Sequence, residues 1–177
     1  TIPSSVYELQ DGWCKNLQSL RYVTIMPNNQ YYKNIGNLVV GKSDIRSDEY
    51  DVLVFVNRDV KTITIPQNMK ILASYSFSFS IIESIFIPSN VTHINEGCFS
   101  SCSELQNIEF SPNSELRVIE RNAFQYTSID NITIPSSVCE LKKGWCSDRF
   151  SLKRVTIMPN NQYYKNIGNM VVGKSDI

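Results

Sequence analysis

The sequence predicts one β-rich solenoid of stacked coils, and three observations lead to this fold class. Residues 1–45 return as residues 133–177 at a constant offset of 132, with the differences concentrated between residues 7 and 22. Inside this long period, an apolar triplet that ends close to a proline recurs, and its last members are separated by 23, 40, 22, 23, 24 and 23 residues. Each triplet is followed by a second apolar pair three residues apart. A unit that returns every 20 to 50 residues or so indicates a repeat architecture.

The triplet, of the form L-x-x-I-x-I, predicts a short strand whose alternate side chains point inward. Proline ends the strand because it cannot donate to a ladder. We expect strands near 20–25, 60–65, 82–87, 105–110, 129–134 and 152–157, aligned in one parallel ladder. One coil cannot bury its apolar face alone, so stacked neighbours are expected to bury a continuous core.

The second apolar pair predicts the opposite wall of each coil. These pairs are Val6/Leu9, Met69/Leu72, Val91/Ile94, Leu116/Ile119 and Val138/Leu141. A bulky pair follows each wall, and we expect it to form a short helical turn that fills the space between the walls. The side chains expected to be buried there are Trp13, Phe77, Phe99, Phe124 and Trp145. Because Trp13 precedes Cys14, whereas most units place the small residue first, we expect large and small residues to exchange places in the duplicated unit.

The step of 40 residues contains an insert near 28–59. The β-prone runs 37–41 and 51–57 predict an antiparallel hairpin there, and we expect no other antiparallel pairing. The polar residues Asn28 to Tyr32 form either a contact surface or a solvated loop with Tyr32 packed down. A second insert at 160–177 is expected to be cut at the end of the sequence, so that its strand 169–173 presents an open edge. We interpret residues 1–177 as a single solenoid taken from a longer array of 132-residue super-repeats.

The coils resemble the leucine-rich repeat of the Treponema pallidum type, found in BspA-like surface proteins. That repeat reads roughly I-x-x-I-x-x-x-A-F-x-x-C-x-x-L-x-x-I-x-I-P, and "VTHINEGCFSSCSELQNIEFSP" from Val91 follows it with Cys98 in the alanine place. "LRVIERNAFQYTSIDNITIP" from Leu116 follows it with Thr127 in the cysteine place. The Asn-, Ser- and Ile-rich texture is most similar to the trichomonad members. The resemblance implies a leucine-rich-repeat solenoid, a location at the cell surface or in secretion, and adhesion to a host matrix or cell-surface protein.

Composition and motifs favour recognition over chemistry. Seventeen basic residues balance 17 acidic ones, so nucleic acid is not an expected partner. No apolar run is long enough to span a membrane, and any membrane attachment is expected to lie outside this chain. The five cysteines match no common zinc spacing, and we interpret them as small buried thiols. No metal, cofactor, small-molecule substrate or catalytic group is expected, because the single histidine, His93, has no recognisable nucleophile or acid partner.

A partner is expected to bind the outward side chains of the strands, on the concave face of the solenoid. The predicted residues are Tyr22, Thr24, Met26, Thr62, Thr64, Ser84, Phe86, Asn107, Glu109, Asn131, Thr133, Arg154, Thr156 and Met158. Tyr22, Phe86, Glu109 and Arg154 are the informative members because exposed aromatics and arginine are frequent anchors of protein interfaces. The alternative is a structural spacer that has no ligand of its own.

Overall fold

The computed structural model describes residues 1–147, 151–168 and 170–173, and their regular structure consists of short strands. In chain order these are β1 Tyr32–Ile35, β2 Leu38–Gly41, β3 Val52–Val56, β4 Ile71–Leu72, β5 Ser84–Ile87, β6 His93–Ile94, β7 Asn107–Phe110, β8 Val118–Ile119, β9 Asn131–Ile134, β10 Glu140–Leu141, β11 Arg154–Ile157, β12 Tyr164–Ile167 and β13 Met170–Gly173. The strands build the predicted solenoid of stacked coils. No helix in these ranges is long and apolar enough to cross a membrane.

Two parallel ladders hold the coils together, so the prediction of one ladder was wrong. The first ladder contains the predicted triplet strands as two separate pairs, β5 with β7 and β9 with β11. The second contains the apolar pairs of the opposite wall, in the order β3-β4-β6-β8-β10. Both walls pair because every extended segment of a stacked coil lies beside its counterpart in the next coil, where its backbone groups find partners.

Four of the six predicted triplet strands are confirmed, namely β5, β7, β9 and β11. The other two, at 20–25 and 60–65, were wrong: Ile25 makes only an isolated bridge to Ile2, and residues 60–65 join no ladder. The physical reason is the insert, which separates these two coils. The side chain of Asn34 binds the backbone N–H of Ile25 and the carbonyl of Val23, so the face that would meet 60–65 is already occupied.

The insert is a three-stranded meander rather than a hairpin. The predicted antiparallel pair is confirmed as β2 with β3, but β1 also pairs antiparallel with β2. In the second copy β12 pairs antiparallel with β13, a pairing that was not expected, while no counterpart of β3 lies on the other edge of β13 among the described residues, as expected. Gly36, at a φ of 55°, makes the tight turn between β1 and β2, where few other residues adopt the required conformation.

The segments that fill the interior are chained turns, and the predicted helical turns were wrong. Alternate N–H groups bond within their own turn, as Ser78 N does to Tyr75 O at 3.1 Å, and the intervening ones bond to the next coil. Phe77 N donates to Cys98 O at 2.9 Å and Phe99 N to Ala123 O at 2.8 Å. In a helix all of these N–H groups would donate to carbonyl groups of the same segment, along the helix axis. The array instead uses half of them as a further link between coils.

A column of aromatic rings runs through these turns. Phe77 and Phe99 stack with ring centroids 4.7 Å apart, and Phe99 and Phe124 stack at 5.4 Å. Phe77 and Phe99 are fully buried and Phe124 is 3% exposed. Offset stacking adds to the gain from apolar burial, so this column links the coils through their side chains as the ladders do through the backbone.

The expected burial of Trp13 and Trp145 was wrong, because both are only half-buried. Trp145 touches the end of the column at Phe124, with ring centroids 6.1 Å apart, and Trp13 packs outside the column against Phe55, at 6.0 Å. The fully buried member of the first pair is Cys14. The large and small residues therefore do not exchange places: the second position of the pair faces inward even where a cysteine fills it.

Arg58 is the largest fully buried side chain, and it lies where the insert returns to the coil. Its guanidinium lies over the rings of Phe55 and Phe79, 5.2 and 5.5 Å from their centroids. It donates to the carbonyl of Leu17 and to Ser78 Oγ. Burial lowers the pKa of Arg58. Rings and oxygens replace the usual carboxylate partner of a buried cation.

We predict that Phe99→Ala destabilises the protein by about 3–5 kcal/mol, because the cavity opens between two stacked rings and the coils have no other plug there. Urea unfolding followed by circular dichroism measures this. Coils contact only their neighbours, so part of the array can unfold first. Phe86→Ala removes an exposed ring, 47% accessible, and serves as the matched control. A Phe99→Ala protein as stable as the control would contradict the account.

Candidate functional site

Eight of the 14 predicted partner-binding residues lie on the outward side of the first ladder, here called the strand face. Their neighbours across the ladder follow from the register. The paired positions are Ser84 with Asn107, Phe86 with Glu109, Asn131 with Arg154, and Thr133 with Thr156. All eight are exposed, and the inward residues between them are largely buried. Side chains opposite one another in a ladder lie about 5 Å apart, so these residues form two rows on each pair of strands.

The remaining predicted residues are placed less regularly. Tyr22, Thr24 and Met26 are exposed on the first coil, but no ladder joins them to the rows. Thr62 and Thr64 are exposed on the unpaired segment 60–65. Met158, after β11, is half-buried. The structure therefore brings together the residues of β5, β7, β9 and β11, and leaves the first coil as a separate patch beyond the insert.

Tyr22 is held in place by a neighbouring carboxylate. Its hydroxyl donates to Asp59 Oδ2 at 2.5 Å, and Arg21 Nη1 lies 3.3 Å from the other oxygen of the same group. The hydrogen bond and the charge of Asp59 raise the pKa of Tyr22. The ring is 61% exposed, so an aromatic surface with one fixed orientation faces solvent.

Phe86 and Glu109 form the most distinctive pair on the strand face. The phenyl ring is 47% exposed beside a carboxylate that has no ion-pair partner in the described part of the chain. Arg154 likewise has no carboxylate partner among these residues. Lys61 and Glu83, in contrast, pair at 2.7 Å. Glu109 and Arg154 are thus available to opposite charges on a partner.

A polar groove of about 510 Å³ runs beside the strand face, and the sequence analysis missed it. Its lining includes Gln106, Asn107, Asp130 and Lys153. Lys153 Nζ lies 3.8 Å from Asp130 Oδ2 across the groove. Gln106, Asp130 and Lys153 directly follow the first apolar member of a triplet, whereas Asn107 was already a predicted residue of the strand face. Reading the outward face one residue earlier in each strand would have found the other three.

The repeated polar stretch fastens the insert to the coil, as the packed-down alternative expected for Tyr32. The Asn29 amide donates to Pro3 O and Val6 O at 2.9 and 3.0 Å, and its oxygen accepts from the N–H groups of Tyr31 and Tyr32. The Tyr32 hydroxyl accepts from Leu9 N at 2.9 Å.

The second copy makes the same contacts. Asn161 donates to Pro135 O and Val138 O at 3.1 and 2.9 Å, and Tyr164 accepts from Leu141 N at 2.9 Å. The pattern is therefore a property of the sequence stretch itself. Asn28 and Gln30 remain exposed, so the stretch keeps a small outward surface.

Asp51 ties the loop 42–50 to the second ladder. Its buried carboxylate accepts from Ser43 N at 2.9 Å and from Ser43 Oγ at 2.7 Å, and Lys70 Nζ lies 3.1 Å away. Burial raises the pKa of a carboxyl, but these hydrogen bonds and the ammonium charge outweigh it and hold the pKa of Asp51 below its usual value. The loop 42–50 also carries Ile45, whose side chain is 66% exposed.

Three of the five cysteines lie in the core, where burial makes their thiols unreactive. The five cysteines form no disulfide, and Cys14, Cys98 and Cys102 are fully buried. Burial raises the pKa of Cys14 and of Cys102 to about 11. A protonated, buried thiol is a poor nucleophile and a poor metal ligand. His93 is half-buried, and its Nδ1 lies 2.9 Å from Thr92 Oγ1.

A family model described as a BspA type leucine rich repeat region, in six copies, matches residues 51–170. Because this is more than half of the chain, the chain belongs to that family. The match includes the coil that follows the insert. The likeness to trichomonad members stays a prediction.

Two crystal structures show the same architecture. The pneumococcal vaccine antigen PcpA matches 66% of this chain at 26% identity, with a TM-score of 0.60. A leucine rich cell surface protein from Faecalibacterium prausnitzii matches 98% of it at 22% identity, with a TM-score of 0.52, which is evidence for the fold alone. The chain spans 29% of the length of the first structure and 41% of the second. No curated protein matches the chain.

We predict that Asp51→Asn lowers the free energy of unfolding at neutral pH by about 1–3 kcal/mol, since hydrogen bonds to a charged group are lost. The pKa of Asp51 is lower in the folded protein than its ordinary value of 3.8, so its contribution is present above that pH and is lost as the pH falls through the folded value. Urea unfolding at a series of pH values measures the difference between variant and parent. Asp48→Asn, an exposed change in the same loop, is the control. A difference that persists unchanged in strong acid would contradict this role.

Proposed function

We propose that this chain is an extracellular recognition module, presented at a cell surface or secreted, that binds a host matrix or cell-surface protein through its strand face. The observation that carries the proposal is the exposed pair of Phe86 and Glu109, set in register within rows of small polar side chains. Threonine, serine and asparagine leave the rows flat, so one protruding ring is accessible to a partner. A surface that served only solubility needs no such ring.

The comparisons support the location in general terms. One structural neighbour is a vaccine antigen and another is a cell surface protein by their own descriptions. Antigens are accessible from outside the cell, and the same architecture here suits a surface repeat protein. The unpaired charges of Glu109 and Arg154 provide polar specificity around the aromatic anchor, as the rim of a protein interface does.

Binding of the purified chain to immobilised fibronectin, laminin and collagen, and to fixed epithelial cells, tests the proposal. We expect at least one of these surfaces to retain the parent protein. Changing Tyr22 and Phe86 together to serine should weaken that binding about thirtyfold or more, because the loss of even one hot-spot aromatic costs about 2 kcal/mol or more. The melting temperature should change by no more than about 2 °C, since both rings are exposed.

Tyr126→Ser is the matched control, because Tyr126 is 60% exposed on a turn away from the strand face. Binding that survives the double change and disappears when loop 42–50 is replaced would move the site to the insert. Absence of binding to every surface would favour the spacer function, for which the stacked rings and two ladders provide a stiff body.

A further inference from the structure

A cavity of about 120 Å³ lies on a different part of the molecule, where the first coil meets the insert. Trp13, Tyr32 and Val54 provide apolar walls, and Asp11, Lys42 and Ser74 add polar groups. It is separate from the strand face, because these residues belong to the turn segments and to the second wall. No sequence pattern indicates this cavity, because it forms only where the insert lies over the coil.

Ser74 is the unusual residue of this cavity. Ser74 directly precedes Tyr75, which has a positive φ, and each of the other coils has an equivalent turn residue before a residue of positive φ. In those other coils the equivalent residue is charged. These residues are Asp11, Glu96, Arg121 and Lys143, and all are partly or fully exposed. Ser74 is only 3% exposed, yet its hydroxyl has no hydrogen-bond partner in the described part of the chain. Among the described residues the fully enclosed side-chain atoms without a partner are Arg58 Nε and Ser137 Oγ, so the Ser74 hydroxyl is not sealed off and is open to a ligand in the cavity.

The aromatic walls are fixed in position. The Tyr32 ring is anchored through its hydroxyl to Leu9 N, and Trp13 rests against Phe55. At Gly41 a Cβ would lie 2.9 Å from Tyr32 Cε1 and 3.1 Å from Val54 Cγ2, so glycine is required for this close approach. A ligand therefore meets a preformed pocket and does not have to order it.

The chemistry of the lining selects the kind of ligand. An apolar side chain would leave the Ser74 hydroxyl unpaired, and a bare ion would lie against indole and valine. A pyranose ring has apolar C–H faces for aromatic walls and hydroxyl groups that both donate and accept, which suits Ser74, Asp11 and Lys42 together. A cavity of about 150 Å³ holds benzene, so this one, at about 120 Å³, encloses only part of a sugar ring and leaves the rest of the ring in solvent. We propose that the cavity binds one edge of a single sugar ring, such as the terminal residue of a glycan.

The second copy provides an internal control. Trp145 corresponds to Trp13 at the offset of 132 residues, and Tyr164 corresponds to Tyr32. Among the described residues β13 pairs only with β12, so no strand takes the place of β3 and its Val54 wall. The same aromatic residues are present without the enclosed pocket, and a sugar should distinguish the two tryptophans.

Titration of the ¹⁵N-labelled chain with the methyl glycosides of glucose, galactose, mannose, fucose and N-acetylglucosamine tests the proposal by NMR. We expect at least one glycoside to shift the Trp13 indole and Ser74 amide signals saturably while the Trp145 indole stays in place. Ser74→Ala should weaken this binding roughly three- to tenfold through the loss of one hydrogen bond. Asp11→Asn, an exposed change that keeps the fold, should also weaken it. Ser89→Ala, away from the cavity, should leave the affinity unchanged.

Three results would overturn the assignment. One is that no glycoside shifts Trp13 more than Trp145. Another is that Ser74→Ala binds the glycoside as tightly as the parent. The third is that N-acetyl-leucinamide, a probe for protein side chains, binds more tightly than every glycoside, which would make the cavity an anchor site for a protein. The melting temperature of each variant distinguishes lost binding from lost folding.

Discussion

Every coil of this protein depends on its neighbour to pair its backbone. Three extended or turning segments in each coil leave N–H and C=O groups directed along the array axis, and only a stacked coil supplies their partners. The two ladders meet this requirement on the walls, and the alternating bonds of the turns, such as Phe77 N to Cys98 O at 2.9 Å, meet it in the interior. The aromatic column lies in the interior, between the two walls that these hydrogen bonds hold together.

The insert interrupts this stacking, and asparagine side chains provide the hydrogen-bond partners that the missing strand would have provided. The carboxamide of Asn34 accepts from Ile25 N at 2.7 Å and donates to Val23 O at 2.9 Å, which are the groups that a neighbouring strand would bind. Asn166 makes the same two bonds to Ile157 N and Val155 O, at 2.7 and 2.8 Å. A carboxamide has the donor and acceptor of a peptide group, so it can end a ladder without leaving an open edge. This explains why the polar stretch accompanies each insert.

Sequence patterns predicted what repeats from coil to coil. The spacing of Ile85, Ile87 and their equivalents gave the triplet strands, and Phe99 and Phe124 gave the interior column. What the sequence did not predict depends on contacts between unlike segments. In the sequence Asn34 is indistinguishable from an ordinary loop residue, because its role depends on the unpaired backbone groups of Val23 and Ile25 that lie beside it in the fold. From the sequence Ser74 would be placed at the surface, whereas in the structure the insert covers it. The half-burial of Trp13 likewise follows from that cavity, and apolar character alone could not have indicated it.

Amide hydrogen exchange at Ile25 and Ile157 tests most directly whether asparagine side chains end the interrupted ladder. In the parent protein both amides should exchange slowly, although no strand lies beside them on that side in the described residues. Asn34→Ala should speed exchange at Ile25 and leave Ile157 protected, and Asn166→Ala should do the reverse, so each variant is the control for the other. The account would be contradicted if Ile25 exchanged as fast as an exposed loop amide in the parent protein, or if its protection were unchanged in Asn34→Ala.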